Sequence, residues 1–327
     1  MKKSTLLFYL TLIISVMITI SSNNWISMWI GLEMNMMSFI PLILNKSNKS
    51  STEASMIYFL TQSMSSMMMM MMILMNMMKY TIQKEMIESI INASILIKLG
   101  AAPFHMWMPE ILSKMEWSKC SILMTWQKIA PMMMISNMNN NSLINLSILM
   151  SVFIGSLGGI NQSSLRKIMG YSSINHLGWM LAINKSINLW LIYMMIYSMM
   201  IIMLSYMFLN YKMYFINQIN NYNMNNTEKV SMFMMMLSMG GLPPFIGFLP
   251  KWITIQTMIN NKEMLIILFM IMCSLLTLLY YLRTMTSIYL SSNLTIKWSN
   301  NQYNKLLTFS SMIINLSLPL IMMIDIM

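Results

Sequence analysis

The sequence predicts an all-α polytopic membrane protein of eleven transmembrane helices. They form two inverted five-helix repeats, each with a broken fourth helix, plus one C-terminal helix. Three observations predict it. The 327-residue chain is 57% hydrophobic and only 9% charged, with mean hydropathy +0.61. That balance lies outside the soluble globular range. Its apolar runs reach the ~20 residues that cross a hydrocarbon core. Two runs, 86–113 and 230–259, exceed that length and are interrupted by Gly and Pro.

The run 4–21 follows Met1-Lys-Lys and imitates a signal peptide. No small-residue cleavage site follows, and Asn23–Asn24 leads directly into 25–44, so the first run is read as a retained helix. The third span is 56–78. The fourth, 86–113, contains Gly100, Pro103 and Pro109. Spans 119–136, 143–160, 171–184 and 187–209 follow. The ninth, 230–259, contains Gly240, Gly241, Pro243, Pro244, Gly247 and Pro250. The tenth is 264–287 and the eleventh 306–325. Proline removes a backbone donor and clashes with the preceding turn. Both long spans are therefore expected to unwind, near Gly100–Pro103 and Pro243–Pro250.

Each broken helix is fourth in a group of five: 4–136 and 143–287. Five is odd, so the second group runs inverted relative to the first. Broken helices at matching positions of inverted halves point to a transport site. The last helix, 306–325, stands outside the repeat, and residues 1–327 are read as a single membrane domain.

A formal charge of +11 raises the question of nucleic acid. Topology explains it better. With alternating spans, 13 Lys and Arg fall on the side of the N-terminus and 4 on the other. The richer side is the side of synthesis, which puts the C-terminus opposite. Cys120 and Cys273 are isolated in apolar runs, so zinc or iron–sulfur ligation is not expected. No dinucleotide or phosphate-loop fingerprint occurs. The 51 methionines fill every helix rather than one face. With only six Ala and three Val, they read as the product of an AT-rich genome that translates AUA as Met. That points to an animal mitochondrion, with the basic side facing the matrix.

Lys98, Lys128 and Lys251 lie inside apolar runs, and Pro103, Pro131 and Pro250 lie near them. A charged amine at membrane depth costs about 2.5–3.5 kcal/mol on insertion scales. Glu33, in MWIGLEMNMMSFIP, is the mid-span carboxylate and their natural partner. Burial disfavours a charged amine and a nearby carboxylate favours it, so such a pair can switch protonation. Three amines and a carboxylate read as a proton path, or as structural ion pairs. Carbonyls freed by the second break are placed to solvate Lys251. His105 and His176 are either hydrogen-bonded core residues or proton relays. Glu110 reads as an interfacial acid. Tyr171, Ser172, Ser173 and Thr277 are candidates to hold water between lysines.

The stretches WIGLEMNMMSFIPLI, STEASMIYFLTQ, KLGAAPFHMWMPE, LMTWQKIAP, GGINQSSLRKIMGYSSINHLGWM and SMGGLPPFIGFLPKW span most of the chain. In this order they resemble the subunit 2 family of mitochondrial NADH:ubiquinone oxidoreductase, respiratory complex I, an antiporter-like family of its membrane arm. The resemblance is weakest at 210–229 and after 288. It implies a proton-translocating subunit of the mitochondrial inner membrane, its N-terminus in the matrix and its C-terminus in the intermembrane space. It implies that Glu33 pairs with Lys98, that Lys128 is the central lysine, and that Lys251 stands near the exit. It implies no cofactor on this chain: NADH, FMN, iron–sulfur clusters and ubiquinone belong to other subunits. Expected partners are the other core and accessory subunits, neighbouring antiporter-like subunits and membrane lipid such as cardiolipin, with no nucleic acid. An independent cation/proton antiporter and a structural membrane-arm spacer are the alternatives.

Overall fold

The computed structural model describes residues 3–44, 48–78, 84–138, 142–219, 226–289 and 305–319. Lys2, Lys46, Lys79 and Lys297 of the charge count lie outside the described residues, as does the end of the eleventh span. In chain order the helices are α1 (Lys3–Ser21), α2 (Trp25–Ile43), α3 (Lys49–Met77), α4 (Lys84–Leu99), α5 (Trp107–Lys114), α6 (Trp117–Met124), α7 (Trp126–Ser136) and α8 (Ser142–Ile160). Then come α9 (Leu165–Ala182), α10 (Ile187–Asn210), α11 (Ile216–Ile219), α12 (Asn226–Gly240), α13 (Phe248–Asn260), α14 (Met264–Tyr289) and α15 (Lys305–Asn315). Among the described residues the one non-helical pairing is an isolated bridge, Ser164 to Phe215. The protein is an all-helical polytopic membrane protein. Among the described residues, five helices are long and apolar enough to cross a bilayer: α2, α3, α8, α10 and α14.

The chain forms two compact units. One comprises Met1–Ser151 with Asn184–Ile187, the other Val152–Ile183 with Asn188–Met327. In the first, Gly31 of α2 lies against Ser15 and Thr19 of α1, where a Cβ would collide with the Thr19 side chain. Small residues bring backbones this close where lipid gives no hydrophobic drive to associate. In the second, Gly155 plays the same part against the Asn175 backbone of α9.

The two long spans unwind, and each break begins the same way. The Gly100 N–H bonds to the Ile97 carbonyl and the Ala101 N–H to Leu96, with Gly100 at φ 68°. The Gly241 N–H bonds to Ser238 and the Leu242 N–H to Leu237, with Gly241 at φ 81°. Both are Schellman stops, which need a left-handed residue that glycine supplies without a Cβ penalty. The second break ends earlier than the sequence suggests. Helix resumes at Phe248 and takes Pro250 as its third residue. The first turn of a helix has no use for the N–H that proline lacks. At this break α15 reaches in: the Asn315 carbonyl accepts from the Ile246 N–H at 3.2 Å.

Three expected boundaries are corrected. Helix α3 starts at Lys49 rather than 56, because Asn48, Ser51 and Thr52 close a first turn; the Ser51 hydroxyl donates to the Asn48 carbonyl at 2.7 Å. Helix α9 starts at Leu165 rather than 171, its N–H held by the Tyr214 carbonyl at 2.9 Å. The fifth span is not one helix. It breaks at Thr125 (φ −114°, ψ −75°), whose hydroxyl donates to Ser121.

Candidate proton-transfer site

Lys98 is the penultimate residue of α4, two residues before the glycine stop. The stop leaves end carbonyls to be satisfied. The Trp107 indole N–H donates to Ile97 at 3.1 Å, and the Gln62 amide donates to the Lys98 carbonyl at 3.4 Å. The Lys98 side chain is 3% exposed, and its Nζ lies 3.9 Å from Glu33 Oε1. That is an ion pair without a hydrogen bond, and this Glu33 oxygen is buried with no hydrogen-bond partner. The loose separation leaves both charges free to gain or lose contact.

Lys128 lies on α7, three residues after the Thr125 break, and is 2% exposed. Pro131 has no N–H, so the carbonyl one turn back, at Gln127, loses its helical donor. Lys98 and Lys128 line one cavity with Asn35, Tyr58, Gln62, Gln127 and apolar neighbours. It has about 20 Å³ of room for water. One water needs roughly 10–15 Å³ and at least two polar partners. Two buried amines thus share a wall with space for a bridging water.

Lys251, 4% exposed, belongs to the second unit. Its ammonium donates to the Gly240 carbonyl at 2.7 Å and stands 5.7 Å above the Trp179 ring. A hydrogen bond to a charged group contributes about 1.5–3 kcal/mol, and a cation–π contact about 0.5–1. Together they offset most of the insertion cost. A Cβ on Gly241 would lie 2.8 Å from Lys251 Nζ, in a backbone conformation L residues avoid. Gly241→Ala is expected to push Lys251 off Gly240 and cost about 1–3 kcal/mol. Thermal unfolding of the assembled protein checks this; an unchanged midpoint would contradict it.

The histidines have hydrogen-bond partners of their own. His105 lies in the first unwound segment, its Nδ1 3.2 Å from the Pro103 carbonyl. His176, on α9, has its Nδ1 2.8 Å from the Tyr193 hydroxyl, with the Tyr197 ring 4.9 Å away. Ser172, Ser173 and Thr277 donate into their own helices, and the Tyr171 ring packs beneath Gly158.

Glu110 pairs with Lys114 at 3.1 Å, and Lys114 also holds Glu53 at 3.1 Å, tying α5 to the N-terminal part of α3. These carboxylates, Glu53 first, raise the Lys114 pKa above its ordinary 10.5. A raised amine pKa favours the folded state below the ordinary value, and that contribution disappears as pH rises through the folded one. Lys114→Gln should therefore cost at most about 1 kcal/mol at neutral pH, less in high salt. That cost should disappear as pH rises through the raised folded-state pKa, beyond which the amine is neutral in both the folded and the unfolded chain. Melting curves against pH and salt test the sign.

Sequence reasoning missed Tyr58, Gln62 and Gln127. The Tyr58 hydroxyl donates to Gln127 Oε1 at 3.3 Å, while Gln127 Nε2 is buried with no partner. The available signal was the spacing: Tyr58 and Gln62 are one turn apart on α3, and Gln127 adjoins Lys128.

Residues 22–277 match the family described as NADH:quinone oxidoreductase/Mrp antiporter, TM. A NADH-ubiquinone oxidoreductase chain 2 of Anopheles gambiae is 42% identical, over 96% of this chain and 95% of its own. That of Aedes aegypti is 44% identical, over 95% of each. A chain of respiratory complex I from Thermus thermophilus superimposes with TM-score 0.82 at 17% identity, over 94% of this chain and 75% of that one.

Proposed function

Because the chain belongs to the NADH-ubiquinone oxidoreductase chain 2 family, we propose that it is a proton-translocating subunit of the membrane arm of mitochondrial complex I. It couples electron transfer from NADH to ubiquinone, carried out on other subunits, to movement of protons out of the matrix. The observation that supports this most is the single cavity lined by Lys98 and Lys128, with Glu33 paired to Lys98. The chain crosses the inner membrane eleven times, N-terminus in the matrix, as two inverted repeats and a last helix. Cardiolipin and neighbouring antiporter-like subunits surround it.

A change in charge along the arm opens or closes the Glu33–Lys98 pair. The proton released from Lys98 passes to Lys128, and onward to Lys251 near the exit. His105 and His176 are relay candidates. Lys251 bridges a break in the backbone, so its ammonium competes with water for the Gly240 carbonyl. NADH-driven proton uptake by the complex in vesicles free of sodium tests the reading. Full uptake supports it; dependence on sodium would favour the independent cation/proton antiporter.

A further inference from the structure

We propose that Gln127, held by Tyr58, is the positioning residue for proton transfer between Lys98 and Lys128. The proposal rests on the proton path above and adds the group that orients its water. Both residues line the cavity between the two amines. The Gln127 carboxamide is anchored at one end only: its Oε1 accepts from the Tyr58 hydroxyl at 3.3 Å. With the phenol donating to the amide oxygen, the amide nitrogen is turned away from Tyr58. Nε2 is then the free end, and it is buried with no hydrogen-bond partner. An unsatisfied buried donor beside a space that fits a water marks a place for that water.

Tyr58 is itself held firmly. Its ring packs edge-on against Phe39 at 5.2 Å and Trp107 at 6.1 Å. Trp107 in turn donates to Ile97, at the end of the helix that carries Lys98. The amide orientation is thus tied to the first break. On the other side, Thr125 and Pro131 disturb the helix on both sides of Gln127.

The chemistry needs a donor at this point. For a proton to leave Lys98 for a neutral Lys128, a water accepts N–H from the Lys98 ammonium and donates O–H to the Lys128 lone pair. As the Lys98 N–H bond breaks, a new N–H bond forms on Lys128 and the water is regenerated. The water's second lone pair remains, and an N–H donor such as Gln127 Nε2 satisfies it. The same donor stops the water from reversing its hydrogens. A carboxamide cannot take up the proton at neutral pH, so it orients without trapping.

The test is proton uptake and NADH oxidation by the assembled complex in vesicles, with Gln127→Leu, Tyr58→Phe and the double variant. Gln127→Leu is expected to slow uptake at least about tenfold and to enlarge the solvent deuterium isotope effect. Tyr58→Phe should slow it about threefold. The double variant should be no slower than Gln127→Leu, because Tyr58 acts through Gln127. Gln127→Asn, which withdraws the donor by one methylene, serves if the leucine variant does not assemble. Uptake within twofold of wild type in Gln127→Leu, or a double variant as slow as the product of the single effects, would overturn the proposal. So would failure of both Gln127 variants to assemble, which would assign Gln127 to structure. Lys128→Met run in parallel separates the two readings. If it pumps normally, the proton path itself fails. If it stalls while Gln127→Leu pumps normally, only this inference fails.

Discussion

Lys128→Met is expected to slow NADH oxidation coupled to pumping by about tenfold or more, with the complex still assembled. Loss of a positioned proton-transfer group typically costs ~10²–10⁴-fold at the step it serves. A tightly coupled machine slows when that step does. Assembly should survive because Met keeps the unbranched stem that fills the site and removes only the titratable amine. Lys128 is 2% exposed, so its charge is carried at a desolvation cost. The thermal midpoint should stay or rise. A midpoint lowered by several degrees with normal coupling would instead mark Lys128 as structural.

Glu33→Gln is expected to have the second largest effect. The substitution keeps the shape of the side chain and removes the charge that faces Lys98 at 3.9 Å. In the proposed cycle the pair must open and close as charge shifts, and a neutral amide cannot respond to that shift. Turnover should fall several-fold. The decisive comparison is Glu33→Gln combined with Lys98→Met. If the two residues act as a pair, the double variant is no worse than the poorer single one, an interaction of about 0.5–3 kcal/mol. Strict additivity would mean that they act separately.

Much of this architecture is written in local chemistry. Gly100 and Gly241 stop their helices because only a residue tolerant of positive φ fits a Schellman stop, and excess length announced that a stop was needed. Lysines stood out because an amine in an apolar run is rare enough to demand a reason. The break at Thr125 was illegible: neither Gly nor Pro lies at 124–126, and a threonine that bonds back to the previous turn usually leaves a helix intact. The end of the second break was misjudged for a related reason, since Pro250 serves as a helix start as readily as a stop.

The cavity was hidden for another reason. Tyr58 and Gln62 on one helix meet Gln127 on another only through packing. In a chain so rich in Ser and Asn, a polar side chain looks no different from one that satisfies its own helix. Ser65, for example, donates back to Gln62 at 2.7 Å and does nothing more. The loose Glu33–Lys98 distance was equally out of reach, since sequence can propose partners but not their separation.

The proton-to-electron ratio of the assembled complex in sealed vesicles, measured for Glu33→Gln, Lys128→Met and Lys251→Met, tests the central claim most directly. NADH oxidation and proton uptake are recorded together. If the buried amines and their carboxylate form a proton path, each substitution lowers the ratio or the turnover while the complex stays assembled. Normal ratios and normal turnover in all three would contradict it, and leave these charges as structural ion pairs of a membrane-arm spacer.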